Sequence, residues 1–252
     1  MAEDINVADP RLYRDDAWRP HFARLRQDDP VHRHADSPYG PYWSVTRYAD
    51  IMTVELDPGT YSSASELGGI QIADQAKGSE LPNFIRMDPP RHTAQRKTVA
   101  PIVAPSNLAN MASTIRERTA AVLDGLPRNE TFDWVDRVST ELTAMMLATL
   151  FDFPWADRRK LTHWSDVAIA NVEDADAVVK SEAERMAELT QMAEVMAALW
   201  KERAALPPRF DLISMMAHAE ATQNMPLREF IGTFGLLIVG GNDTTRNSMT
   251  GG

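Results

Sequence analysis

Apolar residues recur along much of this chain at steps of three and four. Met186, Leu189, Ala193, Met196 and Trp200 follow one another at these steps, which is the spacing of one face of an α-helix. Similar spacing, bounded by capping residues, glycines and prolines, predicts helices over residues 18–27, 47–56, 89–103, 106–123, 135–151, 154–171, 183–200, 211–218 and from 226 to the end. The chain is therefore predicted to be mainly α-helical.

Two segments near the N-terminus depart from the helical pattern. Residues 31–45 are short of helical spacing, rich in aromatic residues and interrupted by Pro38, Gly40 and Pro41, which predicts a small β-hairpin. Residues 61–82 are rich in serine, glycine and small polar groups. Connections of that length inside a compact domain tend to be binding loops or lids.

Composition excludes several classes of protein. The 252 residues contain no cysteine, so they hold no disulfide, cysteine zinc site, iron–sulfur cluster or thiol nucleophile. The formal charge is −10, which argues against a protein that binds nucleic acid or an anionic membrane over its whole surface. The N-terminus lacks the pattern of a signal peptide, and the apolar stretch 234–241 is too short to span a bilayer. We therefore expect a cytoplasmic protein without a membrane span.

A basic segment interrupts this acidic chain at residues 84–97. It carries four basic residues against one acid, a local net charge of +3 (Arg86, Arg91, Arg96 and Lys97 against Asp88). His92 and Arg96 are four residues apart and share a helix face near the start of the helix, where the dipole also favours an anion. Asp88 is the predicted N-cap. The segment suits a carboxylate or phosphate ligand, and the alternative is a solvated basic face.

The second unusual segment is Gly-Gly-Asn-Asp-Thr-Thr at residues 240–245, after an apolar approach. Each glycine costs about 1 kcal/mol relative to alanine in a helix interior, which suggests that something flat packs against Gly240 and Gly241. The hydroxyl of Thr244 can reach the Gly240 carbonyl and loosen that turn. With Asp243 it could form a proton relay. The alternative is a helix that ends at the glycines, with Asn242 or Asp243 capping a new one.

A metal site is a weaker candidate. His32 and His34 could ligate a metal from one face of a strand, although the preferred interpretation is two surface residues beside Arg33. The chain has no H-E-x-x-H motif, no phosphate loop that ends in Gly-Lys and no G-x-S-x-G motif.

Taken together, the two segments resemble motifs of the cytochrome P450 family. Residues 88–96, D-P-P-R-H-T-A-Q-R, resemble the family's D-P-P-x-H-x-x-x-R segment, and residues 240–245, G-G-N-D-T-T, resemble its [AG]-G-x-[DE]-T-[TS] motif. The resemblance implies the N-terminal part of a P450 fold, helices A to I, with haem b as cofactor. It implies that His92 and Arg96 bind the haem propionates, and that Gly240 and Gly241 let the helix pass close over the haem.

The resemblance also implies roles for other residues. Asp243 and Thr244 would be the acid–alcohol pair that delivers protons during oxygen activation, and residues 61–82 would lie over the substrate pocket. Helices between residues 154 and 200 would form a lid. Leu236 and Val239, about one turn before the motif, are candidate pocket residues, and plain core residues are the alternative.

The segments 81–90, 95–101 and 240–252 look like the soluble bacterial alkane hydroxylase branch of the family. That branch implies terminal hydroxylation of medium-chain alkanes or fatty acids, that is, an apolar small-molecule substrate. It also implies a ferredoxin and a flavin-dependent ferredoxin reductase as partners. Arg91 and Lys97 are candidates for the surface that faces the electron donor, because they form a basic patch on an acidic chain.

One departure from the family concerns the iron ligand. The family's E-x-x-R pair and its cysteine loop are absent from residues 1–252, and the cysteine thiolate is the axial ligand of the iron. We therefore expect a fragment of a longer product, one partial domain that is inactive alone, with the axial cysteine outside the chain. The alternatives are a truncated haem-less helical protein that binds apolar ligands or partners, and a metal-dependent hydrolase that uses His32 and His34.

Overall fold

The computed structural model describes residues 5–72 and 81–251. It is mainly helical, and in the described part it has one small antiparallel sheet of two strands, so the predicted fold class is confirmed. The described residues form two compact units: 5–72 together with 85–89, and 81–84 together with 90–251.

In its described residues, the first unit contains the hairpin and three α-helices. Leu25 is fully buried, and the backbone N–H of Thr46 donates to the Pro30 carbonyl at 2.9 Å, which closes the base of the hairpin. Val31 lies opposite Val45, and His34 lies opposite Tyr42. The regular elements are α1 (Pro10–Arg14), α2 (Trp18–Asp28), β1 (Val31–His34), β2 (Tyr42–Val45), α3 (Tyr48–Glu55) and a 3₁₀ turn (Ser65–Leu67).

The second unit is a helical assembly around its last helix. Its α-helices are α4 (Arg91–Val99), α5 (Pro105–Asn110), α6 (Ala112–Asp124), α7 (Glu141–Phe151), α8 (Arg159–Ile169), α9 (Glu182–Ala204), α10 (Leu212–His218) and α11 (Leu227–Gly251). Helix α11 packs against α7, α8 and α9. The fully buried ring of Phe234 lies 4.6 Å from that of Phe230 and 6.1 Å from that of Phe151, which places an aromatic cluster at the centre of this core.

The long helix α9 confirms the apolar stripe read from the sequence. Leu189, Ala193 and Met196 are buried, whereas Met186 at the start of the stripe is 39% exposed. The Ser181 hydroxyl caps the helix by accepting from the Glu184 N–H at 3.1 Å. The stripe therefore describes the buried face of the helix from Leu189 to Met196, and Trp200 at its end is half-buried.

Two helices that were predicted to be continuous are interrupted. The segment 106–123 is divided at Met111 between α5 and α6. The segment 135–151 begins as a π-helix, Val135–Thr140, before α7 starts. Arg159 stabilises this region through its Nε, which donates to Glu141 at 2.7 Å, and its Nη1, which donates to Asp136 at 2.9 Å. The π-helix thus depends on tertiary contacts that apolar periodicity does not encode.

Across the described ranges 5–72 and 81–251, no helix combines the length and the apolar character that a membrane span requires.

Candidate functional site

The basic helix α4 presents two side chains that are available to an anion. His92 is half-buried and Arg96 is exposed, and both lie on α4 within one helical turn of each other, as predicted. In the described part of the chain neither side chain has a hydrogen-bond or ion-pair partner. An imidazole and a guanidinium without partners on one helix are a donor set suited to carboxylates.

The predicted N-cap of this helix is wrong. Helix α4 begins at Arg91 without a side-chain cap. The carboxylate of Asp88 accepts from the Ser62 hydroxyl at 2.5 Å and from the Ser63 N–H at 3.0 Å. The aspartate therefore fixes the preceding segment of the first unit, because these partners compete for the carboxylate that would otherwise cap the helix.

A buried carboxylate joins α4 to α11. Glu229, in the first turn of α11, has a side chain that is 5% exposed and accepts from the Arg91 guanidinium. Its other oxygen accepts from Nε2 of Gln95 at 2.6 Å. Arg91, a candidate for the donor-facing surface, is thus already paired within the chain, whereas Lys97 is exposed. Sequence reasoning missed Glu229, since 138 residues separate it from Arg91.

The two glycines of α11 have different surroundings. The helix runs through both without a break, so the alternative of two helices separated at the glycines is wrong. A Cβ added at Gly240 would meet nothing within 4 Å. A Cβ added at Gly241 would lie 2.7 Å from Cδ2 of Leu147 on α7. The close packing at Gly241 is therefore against a neighbouring helix, whereas Gly240 faces open space. The role of both glycines beside a cofactor stays a prediction.

Thr244 and Asp243 follow one turn after Gly240. The Thr244 hydroxyl donates to the Gly240 carbonyl at 3.2 Å, which confirms the contact predicted from the spacing. Asp243 accepts from Nδ2 of Asn247 at 3.1 Å and from Arg246 at 3.4 Å. An open depression of about 380 Å³ lies beside Thr244, so its hydroxyl is accessible.

Arg246 connects the acid of α11 to another helix, and sequence reasoning missed it. Its Nη1 lies 2.8 Å from the carboxylate of Asp166 on α8, while its Nη2 contacts Asp243. The spacing of three residues between Asp243 and Arg246 was the available signal. Asp166 could not be found from spacing because it lies on a different helix.

The candidate pocket residues precede Gly240 on the same helix. Leu236 lies one turn before Gly240, and Val239 lies one turn before Asp243. Both are partly exposed, unlike Phe234 and Ile238, which are fully buried on the core side. This exposure favours a surface that faces a ligand over plain core, and their contact with a substrate stays a prediction.

The histidine pair of the hairpin is buried, contrary to the prediction of surface residues. His32 is 7% exposed, with Nδ1 2.7 Å from Asp29, and His34 is 6% exposed, with Nε2 2.7 Å from the Ser44 hydroxyl. The His34 ring stacks on Tyr42 at 4.2 Å. Burial lowers the pKa of His34, and the neighbouring His32 lowers it further.

These contacts use the histidines structurally and leave the metal-dependent hydrolase without support. Among residues 5–72 and 81–251, no group of three or more histidine, aspartate or glutamate side chains is arranged to hold a metal ion. Of the predicted loop 61–82, residues 73–80 lie outside the described residues.

This mainly helical fold with one small antiparallel sheet is the fold of solved cytochrome P450 structures. The chain is 46% identical, over 99% of its length, to the solved structure of cytochrome P450-153 from Novosphingobium aromaticivorans, with a TM-score of 0.85. It is 50% identical to CYP153D17 from Sphingomonas sp. PAMC 26605 over 97% of its length, with a TM-score of 0.82. The chain belongs to the cytochrome P450 family.

A curated relative agrees with the structural neighbours. Linalool 8-monooxygenase of Pseudomonas putida is 33% identical over 98% of the chain. The chain spans 63% of that relative and 62% and 61% of the two solved structures, so it matches about three fifths of each. No family model matches the chain. The likeness thus covers nearly the whole of this chain and only part of the relatives.

Proposed function

We propose that this chain is part of one cytochrome P450 domain whose complete protein inserts one oxygen atom from O₂ into unactivated C–H bonds. The observation that carries the proposal is the turn of α11 in which the Thr244 hydroxyl donates to Gly240 while Gly240 itself faces open space. An interior helix normally fills such positions with side chains. An open glycine beside an accessible hydroxyl leaves room for a flat ligand and offers it a proton donor.

The residues of α4 and α11 fit haem, the cofactor of the family. His92 and Arg96 would bind its two carboxylates, because they are hydrogen-bond donors one turn apart that have no partner in the described part of the chain. Gly240 would admit the flat face of the haem, since the space beside its Cα is open and glycine has no side chain to fill it. When bound, haem supplies the iron centre that activates dioxygen. The axial thiolate of this chemistry has no candidate in a chain without cysteine.

Asp243 and Thr244 would move protons at this site. The Thr244 hydroxyl donates its one proton to the Gly240 carbonyl, and its oxygen keeps two lone pairs that accept hydrogen bonds from water. To donate to a ligand, the hydroxyl would rotate away from the carbonyl while a water hydrogen-bonded to its oxygen replaces the proton. The side chain of Asp243 is 33% exposed, so it can exchange protons with solvent on the same helix. Arg246, held between Asp243 and Asp166, fixes the orientation of the acid. We assign Thr244 as the proton donor and Asp243 as the group that resupplies it.

The finer part of the proposal is terminal hydroxylation of medium-chain alkanes or fatty acids. It is supported by the resemblance of residues 81–90, 95–101 and 240–252 to the alkane hydroxylase branch, and by 46% and 50% identity to the two solved structures described above. The proposed partners are a ferredoxin and a flavin-dependent ferredoxin reductase, with the exposed Lys97 as a contact of the donor. The proposed location is the cytoplasm.

The test of the proton donor compares Thr244→Ala with Thr245→Ala in the complete gene product. Thr245 is exposed and adjacent, and in the described structure its hydroxyl has no partner, so it is a matched control. With ferredoxin, reductase, NADH and octane, we expect the alcohol formed per NADH to fall about tenfold in Thr244→Ala only, because a lost hydrogen bond of about 1.4 kcal/mol corresponds to that factor. Peroxide should rise correspondingly, and unchanged coupling would remove Thr244 from the relay.

The test of the cofactor site compares the double variant His92→Ala, Arg96→Ala with Lys97→Ala. Lys97 is an exposed cation on the same helix, so it controls for the loss of charge. We expect the double variant to purify with less haem per chain, measured by absorbance, and the control to retain it. Equal haem content in both would refute the assignment of His92 and Arg96.

Chromatography of the alcohols decides the regioselectivity, and internal alcohols as main products would refute terminal attack.

A further inference from the structure

Glu229, a buried acid without a role in the proposed chemistry, contacts two residues of α4. One oxygen of its carboxylate accepts from the Arg91 guanidinium, and the other accepts from Nε2 of Gln95 at 2.6 Å. Arg91 and Gln95 are four residues apart, so they lie one above the other on one face of α4. Glu229 therefore contacts α4 at two points along the helix axis, each through a different oxygen atom.

The contact with Gln95 has a defined geometry. The Glu229 side chain is 5% exposed and Gln95 is 2% exposed, so little water competes for the hydrogen bond between them. An ionised carboxylate only accepts hydrogen bonds, so the amide of Gln95 has to present its nitrogen to Glu229. The amide oxygen is buried and has no partner within residues 5–72 and 81–251. The bond to Glu229 therefore fixes the orientation of this amide.

Apolar packing resists the rotation of α4 about its own axis only weakly. Of the nine residues of this helix, Gln95 and Val99 are buried. A helix that buries a broad apolar stripe is fixed about its axis by that stripe, and α4 buries one apolar side chain instead. The rotation of α4 is therefore left largely to its polar contacts.

The rotation of α4 decides where the side chains of His92 and Arg96 lie. Each of them directly follows a residue that Glu229 contacts, about 100° further around the helix. A helix with its side chains has a radius of about 5–6 Å, so a rotation of about 20° moves the end of a side chain by about 2 Å. A hydrogen bond does not survive a displacement of that size. His92 and Arg96 therefore keep their positions only while the contacts of Glu229 hold.

We infer that Glu229 is a positioning residue for the cofactor site. Through Arg91 and Gln95 it fixes the rotation of α4 about its axis. It thereby holds His92 and Arg96 where they can bind the two carboxylates of haem. The inference rests on the proposed function, because that function assigns haem to these two donors. Glu229 acts through α4 and not on the ligand, since α4 engages both of its oxygens.

The test measures the rate at which haem leaves the haem-containing complete gene product for an excess of apomyoglobin, followed by absorbance. Glu229→Gln replaces one accepting oxygen by an amide nitrogen, which is a donor. The variant can therefore keep its contact with Arg91 or with Gln95, and not both. We expect haem to leave about tenfold faster than from the wild type, the factor that one hydrogen bond to a charged group represents.

Glu141 supplies the matched control. It lies on a different helix, α7, its side chain is 15% exposed, and its two oxygens accept from Arg158 at 2.8 Å and from Arg159 at 2.7 Å. Glu141→Gln therefore removes the same kind of carboxylate, one that pairs with two donors, without touching α4. We expect haem to leave this variant at the wild-type rate. An equal acceleration in Glu141→Gln and Glu229→Gln would overturn the inference, because general loosening would then explain both.

A comparison of combined variants separates positioning from general stability. In the double variant His92→Ala, Arg96→Ala, no donor remains for Glu229 to position. The addition of Glu229→Gln to this background should therefore leave the rate of haem release unchanged. A further tenfold acceleration in the triple variant would overturn the inference, and so would a wild-type rate in folded Glu229→Gln alone.

A second variant decides if Glu229→Gln does not fold. Gln95→Met removes one of the two contacts, keeps a similar side-chain shape and leaves the ion pair of Glu229 in place. It should also accelerate haem release, and a wild-type rate in Gln95→Met would overturn the inference. The proposed function fails separately: if the double variant His92→Ala, Arg96→Ala releases haem at the wild-type rate, the assignment of the cofactor site itself is wrong.

Discussion

The ion pair between Glu229 and Arg91 provides a sharp test of how α4 and α11 are held together. Its two partners differ in environment: the Glu229 side chain is 5% exposed and that of Arg91 is 58% exposed. Removal of the arginine leaves a buried carboxylate whose one remaining donor among the described residues is the Gln95 amide. Neutralisation of the glutamate, in contrast, releases an arginine that water can solvate. We therefore expect Arg91→Ala to be more destabilising than Glu229→Gln.

The magnitudes follow from this asymmetry. Breaking a fully buried pair by removing one partner costs about 3–5 kcal/mol. Because more than half of the Arg91 side chain is exposed, water can partly solvate the Glu229 carboxylate once the guanidinium is removed, which reduces this cost. We therefore expect Arg91→Ala to lower the free energy of unfolding by about 2 kcal/mol. Glu229→Gln keeps an oxygen that can accept from Arg91 or Gln95, so its effect should be about 1 kcal/mol or less.

The assay is urea denaturation of the complete gene product, followed by far-ultraviolet circular dichroism, with the midpoint and m-value fitted for each variant. The double variant Arg91→Ala, Glu229→Gln should be more stable than Arg91→Ala alone, because no buried charge remains without its partner. The reasoning is refuted if Glu229→Gln is as destabilising as Arg91→Ala, or if the double variant shows no recovery.

Two further predictions concern the glycine pair and the hairpin. Gly240→Ala should leave the free energy of unfolding unchanged or raise it by up to about 1 kcal/mol, and it should lower the haem content. Gly241→Ala, whose methyl group collides with Leu147, should have a free energy of unfolding about 1 kcal/mol lower than that of Gly240→Ala. Denaturation measures the free energies and absorbance the haem content, and the reverse order of stability would contradict the packing of these glycines. Because burial and His32 lower the pKa of His34 below its ordinary 6.5, the unfolded chain binds the proton more tightly, so stability should fall as the pH drops through about 6.5. Melting temperatures of wild type and His34→Gln across this range should converge at low pH, and parallel curves would contradict the prediction.

Local signals predicted much of the secondary structure. Ser181 and Asp211 cap α9 and α10 through bonds to N–H groups three residues later, which is a purely local interaction. Pro38, Gly40 and Pro41 predicted the hairpin turn, because the backbone preferences of proline and glycine are also local. The Thr244–Gly240 bond was also predictable, since both groups lie on one turn of one helix.

Features that depend on contacts between distant residues could not be predicted in this way. Asp88 lies in the sequence where a residue that caps α4 is expected, but its carboxylate accepts hydrogen bonds from Ser62 and Ser63 instead. Gly240 and Gly241 are adjacent and identical in type, yet only one faces Leu147. Composition cannot distinguish two such neighbours, because the difference arises from which side of α11 another helix covers.

The bonds of Asp88 have a consequence for how freely this part of the chain can vary. The contact between Ser62 and Asp88 closes a stretch with a sequence separation of 26 residues. The entropic cost of closing a loop grows only with the logarithm of its length, so a stretch of twice this length would cost about 0.6 kcal/mol more to close. Insertions and deletions between Ser62 and Leu81 are therefore thermodynamically inexpensive. Because residues 61–82 are the predicted loop over the substrate pocket, a change in the length of this stretch would alter the ligand preference while the sequences of α4 and α11 stay the same.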